Sequence, residues 1–189
     1  MYLGLMKLEL KEKTKMLLSY NEICELIEQG VIEFADYNCV NSASLDIHIG
    51  DHVLLEADEG SVLVLRDRTP LKTVQHQLPF DVLPGEFILA SSREIFHLPN
   101  NISAEYKLKS SMARIALDHL NAGWCDAGWN GSVLTLEFKN VSNNHSIRLH
   151  KGDAIGQIVF FKHSPVPYDK SYEVRGRYNN DKTAQGVKK

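Results

Sequence analysis

The sequence predicts a single, mainly β domain that begins with one short helix. The first indication is a period-two alternation in which Leu45, Ile47 and Ile49 are apolar and the residues between them are polar. Such alternation is typical of a strand with one buried face. The second is a series of short strand candidates at intervals of about 8–12 residues, which favours an all-β sandwich or barrel. The third is that strands do not alternate with helices, which argues against a doubly wound α/β fold.

The predicted helix begins after Ser19. Ser19 and Glu22 have the spacing of a capping box, in which each side chain binds a backbone N–H left unpaired by the first helical turn. Ile23 and Leu26 follow at helical spacing, and Gly30 ends the helix. We therefore expect one amphipathic helix of about three turns.

Eight strand candidates follow the helix, and turn residues separate them. Turn sequences such as Pro84-Gly85 and Lys151-Gly152-Asp153 end one candidate and begin the next. The candidates are residues 45–49, 53–56, 61–66, 86–91, 105–108, 133–139, 146–149 and 155–162.

The chain divides into three predicted segments. Residues 1–15 form an N-terminal extension of uncertain status, because methionines at positions 1, 6 and 16 leave the natural start open. Residues 16–164 form the β domain. Residues 165–189 contain tyrosines and arginines but few residues that could pack. They are predicted either to fray or to form an arm that orders over an anionic ligand.

The composition is that of an ordinary globular protein. Of the 189 residues, 43 % are hydrophobic and 24 % charged, and the net charge is −3. This slightly acidic balance gives no electrostatic reason to expect nucleic-acid binding. We find no apolar run near the roughly 18 residues of a membrane-spanning helix, and no signal peptide. The chain is therefore expected to bind neither nucleic acid nor membrane.

The three cysteines predict a reducing environment. Cys24, Cys39 and Cys125 are odd in number and far apart in sequence, so we expect no disulfide framework and no cysteine-rich zinc site. A cytoplasmic location is the simplest expectation.

The richest chemistry lies between residues 109 and 137. The first part combines cations, hydroxyl groups and the backbone N–H groups of a Ser-Ser turn, a set that suits an anionic ligand but also occurs in ordinary loops. The second, residues 122–131, holds three glycines and two tryptophans, and is either a ligand-binding loop or a wide hairpin in which Asp126 caps a turn. On the strand that follows, Glu137 is either a pocket carboxylate or a solvated residue near Lys139.

Several blocks resemble the dCTP deaminase family. The segments that carry the resemblance are KSSMAR, NAGWCDAGWNG and SVLTLEFKN, together with SLDIHIG, PGEFILA, HLPNNISA and KGDAIGQ. They occur in the family's order from near Met16 to Gly186, so the resemblance covers nearly the whole chain.

The resemblance implies a distorted β jelly roll of the dUTPase-like type, assembled as a homotrimer with active sites between subunits. It implies hydrolytic deamination of dCTP to dUTP and ammonia, which would supply thymidylate synthesis. It also implies chemistry without zinc. None of the eight histidines has glutamate two places on, as the zinc deaminases require.

The resemblance also assigns site residues. It implies that Glu137 is the general base and acid, that Ser110 and Arg114 act beside the reacting centre, and that the Ala122 carbonyl orients the water. Mg²⁺ would enter bound to the triphosphate, with no protein metal ligands. The implied substrate-binding residues are Lys109, Ser111, Met112, Ala113, Asn121, Asp126, Thr135, Leu136, Tyr168, Arg177 and Gln185.

The sequence departs from the family pattern in places and leaves alternatives open. Lys109 and Asn121 replace a more usual Arg and Thr, and extra residues precede Gln185. The segment around Trp124 is similar to bifunctional members, which carry dCTP through to dUMP and pyrophosphate. A nucleotide-sensing trimer without activity is a further alternative, and a plain dUTPase is disfavoured by the missing glycine-rich C-terminal motif. His119 lies near a family histidine associated with inhibition by dTTP.

Overall fold

The computed structural model describes residues 16–57, 60 and 62–188. The predicted N-terminal extension, residues 1–15, lies outside the described residues. Within them, no helix combines the length and the apolar character needed to cross a membrane.

The first helix, α1 (Tyr20–Glu28), forms where the sequence predicts it. The Glu22 carboxylate accepts a hydrogen bond from the Ser19 backbone N–H at 2.8 Å, as a capping box requires. Ile23 and Leu26 are buried against the sheet, and Gly30 adopts φ +73° after the last turn. The predicted helix is therefore confirmed in position, cap and buried face.

Eleven strands, two further short α-helices and two 3₁₀ helices (Tyr37–Cys39 and Tyr168–Lys170) make up the remaining regular structure of the described residues. The α-helices are α2 (Ser110–Ala113) and α3 (Tyr172–Arg175). The strands are β1 (Ile32–Glu33), β2 (Leu45–Glu56), β3 (Thr73–Gln77), β4 (Phe80–Val82), β5 (Phe87–His97), β6 (Ile102–Leu108), β7 (Leu117–His119), β8 (Trp124–Cys125), β9 (Asn130–Asn140), β10 (Ile147–Leu149) and β11 (Ala154–Lys162).

Nine of these strands form one curled antiparallel sheet. Its main order is β7-β9-β5-β2-β11-β6-β8, with β1 paired to β5 and β3 to β2. Strand β2 pairs with β11 through its first half and with β3 and β5 mainly through its second half, so the sheet turns a corner there. Register shifts in the β2–β5 and β5–β9 pairings bend the sheet further. The mainly β fold class is confirmed.

The core fills the inside of this curl. Alternate residues of β2, β5, β6, β9 and β11 point inward, and their side chains form one continuous apolar cluster. Fully buried members include Ile47, Phe96, Tyr106, Phe138 and Phe160. Burial of these large side chains supplies most of the free energy that holds the curled sheet.

One strand prediction was wrong. The described residues of the candidate 61–66 form no strand, and Val62 and Leu65 are 82 % and 93 % exposed. Strand β2 ends at Glu56 and pairs with Thr73 of β3, so these residues lie in the long connection between the two strands. A strand needs a partner as well as β-forming residues, and this segment has none within the described part of the chain.

Candidate active site

The C-terminal segment, residues 165–188, packs against β9. The Val133 N–H donates to the Asp181 carbonyl at 2.9 Å, and the Gln185 N–H donates to Thr135 Oγ1 at 3.0 Å. The Trp129 indole N–H donates to the Tyr178 carbonyl at 2.8 Å. These bonds hold the segment over one face of β9, and a cavity of about 450 Å³ lies in this region.

The cavity brings together five of the residues predicted for the site: Ala122, Asp126, Thr135, Glu137 and Gln185. Ala122 and Asp126 lie on either side of β8, Thr135 and Glu137 lie on β9, and Gln185 belongs to the C-terminal segment. Other lining residues are mostly apolar or aromatic: Leu71, Phe87, Leu89, Trp124, Cys125, Trp129, Val133, Leu134, Tyr172, Tyr178, Asp181, Gly186 and Val187. A largely apolar cleft with a few polar groups is the usual form of a small-molecule site.

Glu137 is one of three carboxylates that line this cavity, with Asp126 and Asp181. It lies on β9, paired with Leu89 of β5, and its side chain is 24 % exposed. One of its oxygens, Oε2, is buried and lies 3.4 Å from Nε2 of His119 on β7. The adjacent backbone is fixed as well, because the Leu120 N–H donates to the Glu137 carbonyl at 3.1 Å. The interpretation of Glu137 as a solvated surface residue therefore does not describe its position.

The predicted residues 109–114 belong to α2 and the residues that flank it, outside the cavity lining. Ser110–Ala113 form α2, Arg114 is its C-cap, and none of these residues lines the cavity. Arg114 Nη1 is 3.4 Å from Ser110 Oγ, and Lys109 forms an ion pair with Asp46. Within one chain, the predicted cations and hydroxyl groups of this segment are thus absent from the lining of the cavity that contains Glu137.

Four other predicted residues also lie outside the cavity lining. Leu136 is fully buried in the core, since it points to the opposite face of β9 from Glu137. Tyr168 is 70 % exposed, and Arg177 belongs to the C-terminal segment without lining the cavity. Asn121 has φ +61° and donates its backbone N–H to Nδ1 of His119 at 3.2 Å.

Burial changes the acidity of groups near the cavity. It raises the pKa of the Cys125 thiol to about 12, so this cysteine remains a thiol near neutral pH. It also raises the pKa of Tyr106 far above the ordinary phenol value, with a further contribution from the negative charge of Glu137. Burial raises the pKa of Tyr172 in the same way. These groups are neutral at physiological pH.

Sequence reasoning misses several cavity residues. Tyr172 and Tyr178 stand out in the sequence only as part of a polar tail, although both line the cavity. Leu71 enters from the β2–β3 connection, which no motif marks. The tyrosine content of the tail is the signal that could have found them, since residues that only fray seldom include several aromatic side chains.

A comparison with protein-family models gives a match described as dCTP deaminase-like over residues 17–163. This chain belongs to that family. The family predicted from the sequence blocks is therefore confirmed.

Within the described residues, no group of three or more His, Cys, Asp or Glu side chains is placed to hold a metal ion.

Two curated members of the dCTP deaminase-like family illustrate the similarity. A protein of Aquifex aeolicus (strain VF5) is 35 % identical over 169 residues, which cover 88 % of this chain and 91 % of that protein. One of Methanoregula boonei is 36 % identical over 168 residues, covering 85 % and 91 %. Both are named dCTP deaminase, dUMP-forming.

A solved structure shows the same fold. The crystal structure of 2′-deoxycytidine 5′-triphosphate deaminase from Agrobacterium tumefaciens superposes with a TM-score of 0.65 at 22 % identity. The match covers 79 % of this chain and 49 % of that chain. This likeness supports the curled β fold of the family.

Proposed function

We propose that this chain hydrolyses the C4 amino group of dCTP, releasing ammonia and forming dUTP, without zinc. The observation that carries the proposal is the position of Glu137 in a mostly apolar cavity beside Ala122. The names of the curated relatives support dCTP as the substrate. The reaction consumes one water molecule, whose oxygen becomes O4 of the uracil ring.

In this proposal, Glu137 is the general base and then the general acid. Its carboxylate takes a proton from water, and the resulting hydroxide attacks C4 of the cytosine ring. Glu137 passes this proton to N3, where it stays in the uracil product. It then takes the remaining proton from the new C4 hydroxyl group and delivers it to the amine, so that the C–N bond breaks, ammonia leaves and no net proton remains on the enzyme. The carbonyl of Ala122, which lines the same cavity, would orient the attacking water.

We propose that Ser110 and Arg114 reach the cavity from a second copy of the chain in a homotrimer. Their absence from the cavity lining of their own chain supports this arrangement, because a hydroxyl and a guanidinium would otherwise be missing beside Glu137. Placed there by a neighbouring copy, they would stabilise the charge that develops on the tetrahedral adduct.

The rest of the substrate has proposed partners as well. Asp126 and Thr135 line the cavity and would bind the sugar there. Lys109 and Ser111 of the second copy would bind the phosphate oxygens of the substrate. Tyr168, Arg177 and Gln185 would close over the triphosphate. Mg²⁺ would be held by the triphosphate oxygens, which are hard ligands of the kind it prefers. We propose dTTP as an inhibitor of the same site.

Replacement Glu137→Gln tests the function directly. We expect it to abolish ammonia release from dCTP, because an amide cannot accept and return the proton. Glu25→Gln, on the exposed face of α1, is the matched control and is expected to retain wild-type turnover. Near-normal ammonia release by Glu137→Gln, with wild-type circular dichroism, would contradict the mechanism.

A second candidate is a bifunctional enzyme that converts dCTP to dUMP and pyrophosphate. The observation in its favour is that the Aquifex and Methanoregula relatives are both named as dUMP-forming. Chromatography of the products from dCTP and Mg²⁺ distinguishes the two candidates. Accumulation of dUTP indicates deamination alone, whereas dUMP with pyrophosphate and no free dUTP indicates that the same site also cleaves the phosphate chain.

A further inference from the structure

Glu137 has an inner side that the proposed reaction does not use. Its Oε2 atom is buried, and so is the hydroxyl oxygen of Tyr106. Neither atom has a hydrogen-bond partner among the residues that the structure describes. A carboxylate oxygen only accepts hydrogen bonds, whereas a phenol can donate one, so the two buried groups are chemically complementary.

His119 is a close neighbour of both Tyr106 and Glu137. The Asn121 N–H donates to Nδ1 of His119, so Nδ1 is the acceptor nitrogen and Nε2 carries the hydrogen. Nε2 is the nitrogen that faces Glu137 Oε2 at 3.4 Å. The backbone N–H of Asn121 therefore sets the tautomer of His119, whose Nε2 faces Glu137.

Tyr106 holds the His119 ring from the other side. The two ring centroids are 4.7 Å apart, and Tyr106 is 1 % exposed. The Tyr106 ring lies so close to Gly156 of β11 that any side chain at that position would overlap it. The Tyr106 N–H also donates to the carbonyl of Gly123, the residue that follows Ala122, at 2.8 Å. The ring is thus fixed by two strands and by the loop that lines the cavity.

The Tyr106 hydroxyl keeps its proton. Burial, with the nearby negative charge of Glu137, raises its pKa far above the usual value. A neutral O–H group on the inner side of a carboxylate favours the orientation in which one oxygen points inward.

We propose that Tyr106 is a positioning residue for the reaction of Glu137. With His119, its buried hydroxyl holds Oε2 inward, directly or through one water molecule, so that the other carboxylate oxygen is presented to the cavity. The catalytic part of this inference rests on the proposed function, whereas the contact with Glu137 does not.

Tyr106→Phe removes the hydroxyl and keeps the ring that packs on His119 and Gly156. We expect kcat for ammonia release to fall about tenfold, the size expected for one lost hydrogen bond to a charged group. KM for dCTP should stay within about twofold, because Tyr106 does not line the cavity. Tyr37→Phe is the control, because it removes a hydroxyl from an exposed tyrosine that is distant in sequence from Tyr106. Its kcat and KM should match those of the wild type.

A second measurement does not depend on activity. In protein labelled with ¹³C at the glutamate side-chain carboxyl, the Glu137 resonance is identified by its loss in Glu137→Gln. We expect this resonance to shift in Tyr106→Phe and to stay in place in Tyr37→Phe.

The two measurements separate the possible failures. An unmoved Glu137 resonance in folded Tyr106→Phe would overturn the inference, as would wild-type kcat in that variant. If wild-type protein releases no ammonia from dCTP, the proposed function fails, and the resonance alone decides whether Tyr106 orients Glu137. A raised KM with unchanged kcat would indicate a packing role and would also overturn the inference.

Discussion

Glu94 shows how differently this fold treats two carboxylates on neighbouring strands. Glu94 is fully buried on β5, but its oxygens are bound by the His48 backbone N–H at 3.0 Å, His48 Nδ1 at 2.7 Å and Arg93 Nη2 at 3.0 Å. A buried charge with this many partners ties β5 to β2. Glu137, by contrast, has one inward oxygen and a partly exposed side chain. The first arrangement is structural, and the second is suited to moving protons.

Replacement Glu94→Ala is therefore expected to destabilise the protein strongly. It would leave a buried backbone N–H and part of the Arg93 charge without a partner, at a cost of about 3–5 kcal/mol. Thermal unfolding followed by circular dichroism measures the effect. Asp81→Ala, which breaks the exposed pair between Asp81 and Arg148, is the control and should change the melting temperature far less. Equal losses in the two variants would contradict this account of Glu94.

At the scale of elements, the C-terminal segment can pack closely against the turn before β9 because that turn has a glycine at position 128. Gly128 lies in the turn before β9 with φ +87°. A Cβ atom there would overlap Ser171 Oγ and lie 2.8 Å from Asn100 Oδ1. Ser171 and Asn100 are hydrogen-bonded at 2.5 Å, which fastens the start of α3 to the body of the domain. The absence of a side chain at Gly128 thus allows the segment to reach the cavity.

Gly128→Ala is expected to loosen the C-terminal segment. We expect faster tryptic cleavage at Arg175 and Arg177 and a several-fold higher KM for dCTP, because the segment would no longer pack over the cavity. Gly152→Ala is a matched control, since Gly152 has φ +83° but a methyl group added there would meet no described atom within 4 Å. Both variants carry the strain of a positive φ, about 1–2 kcal/mol. Unchanged cleavage in Gly128→Ala would contradict the contact argument.

At the scale of the whole molecule, the proposed active site needs more than one chain. The cavity of one copy contains Glu137, whereas Ser110 and Arg114 of the same copy lie outside its lining. A closed ring of identical copies would place α2 of one copy at the cavity of the next. In the proposed trimer, Ser110 and Arg114 would come to each cavity from a neighbouring copy.

Mixing two inactive variants tests this arrangement. If each site takes Glu137 from one copy and Arg114 from another, Glu137→Gln and Arg114→Ala should each be inactive alone. After subunit exchange at equal amounts, about a quarter of the sites would contain both native residues. Recovery of ammonia release to about that fraction is expected, with each variant treated alone as the control. No recovery, with exchange verified by native mass spectrometry, would place both residues in one chain.

Most of the fold could be predicted from local patterns. The capping box at Ser19 and Glu22 predicted the start of α1, and period-two alternation predicted the first part of β2. The strand candidates 133–139 and 155–162 lie within β9 and β11. Short strands such as β7 and β8 could not be found, because two or three residues carry no measurable period. The candidate at 61–66 failed for the opposite reason, since a β-forming sequence has no strand to pair with among the described residues.

Residue types and their order were enough to predict the mainly β class and the family, and to make Glu137 a candidate site residue that lies in the cavity of the folded chain. Which residues meet, in contrast, became known only from the folded chain. Folding placed Gln185 beside Thr135, left residues 109–114 out of the lining of the cavity that contains Glu137, and brought His119 close to both Glu137 and Tyr106. These contacts join strands far apart in the chain, and their geometry follows from sheet pairing and core packing, which no local pattern encodes.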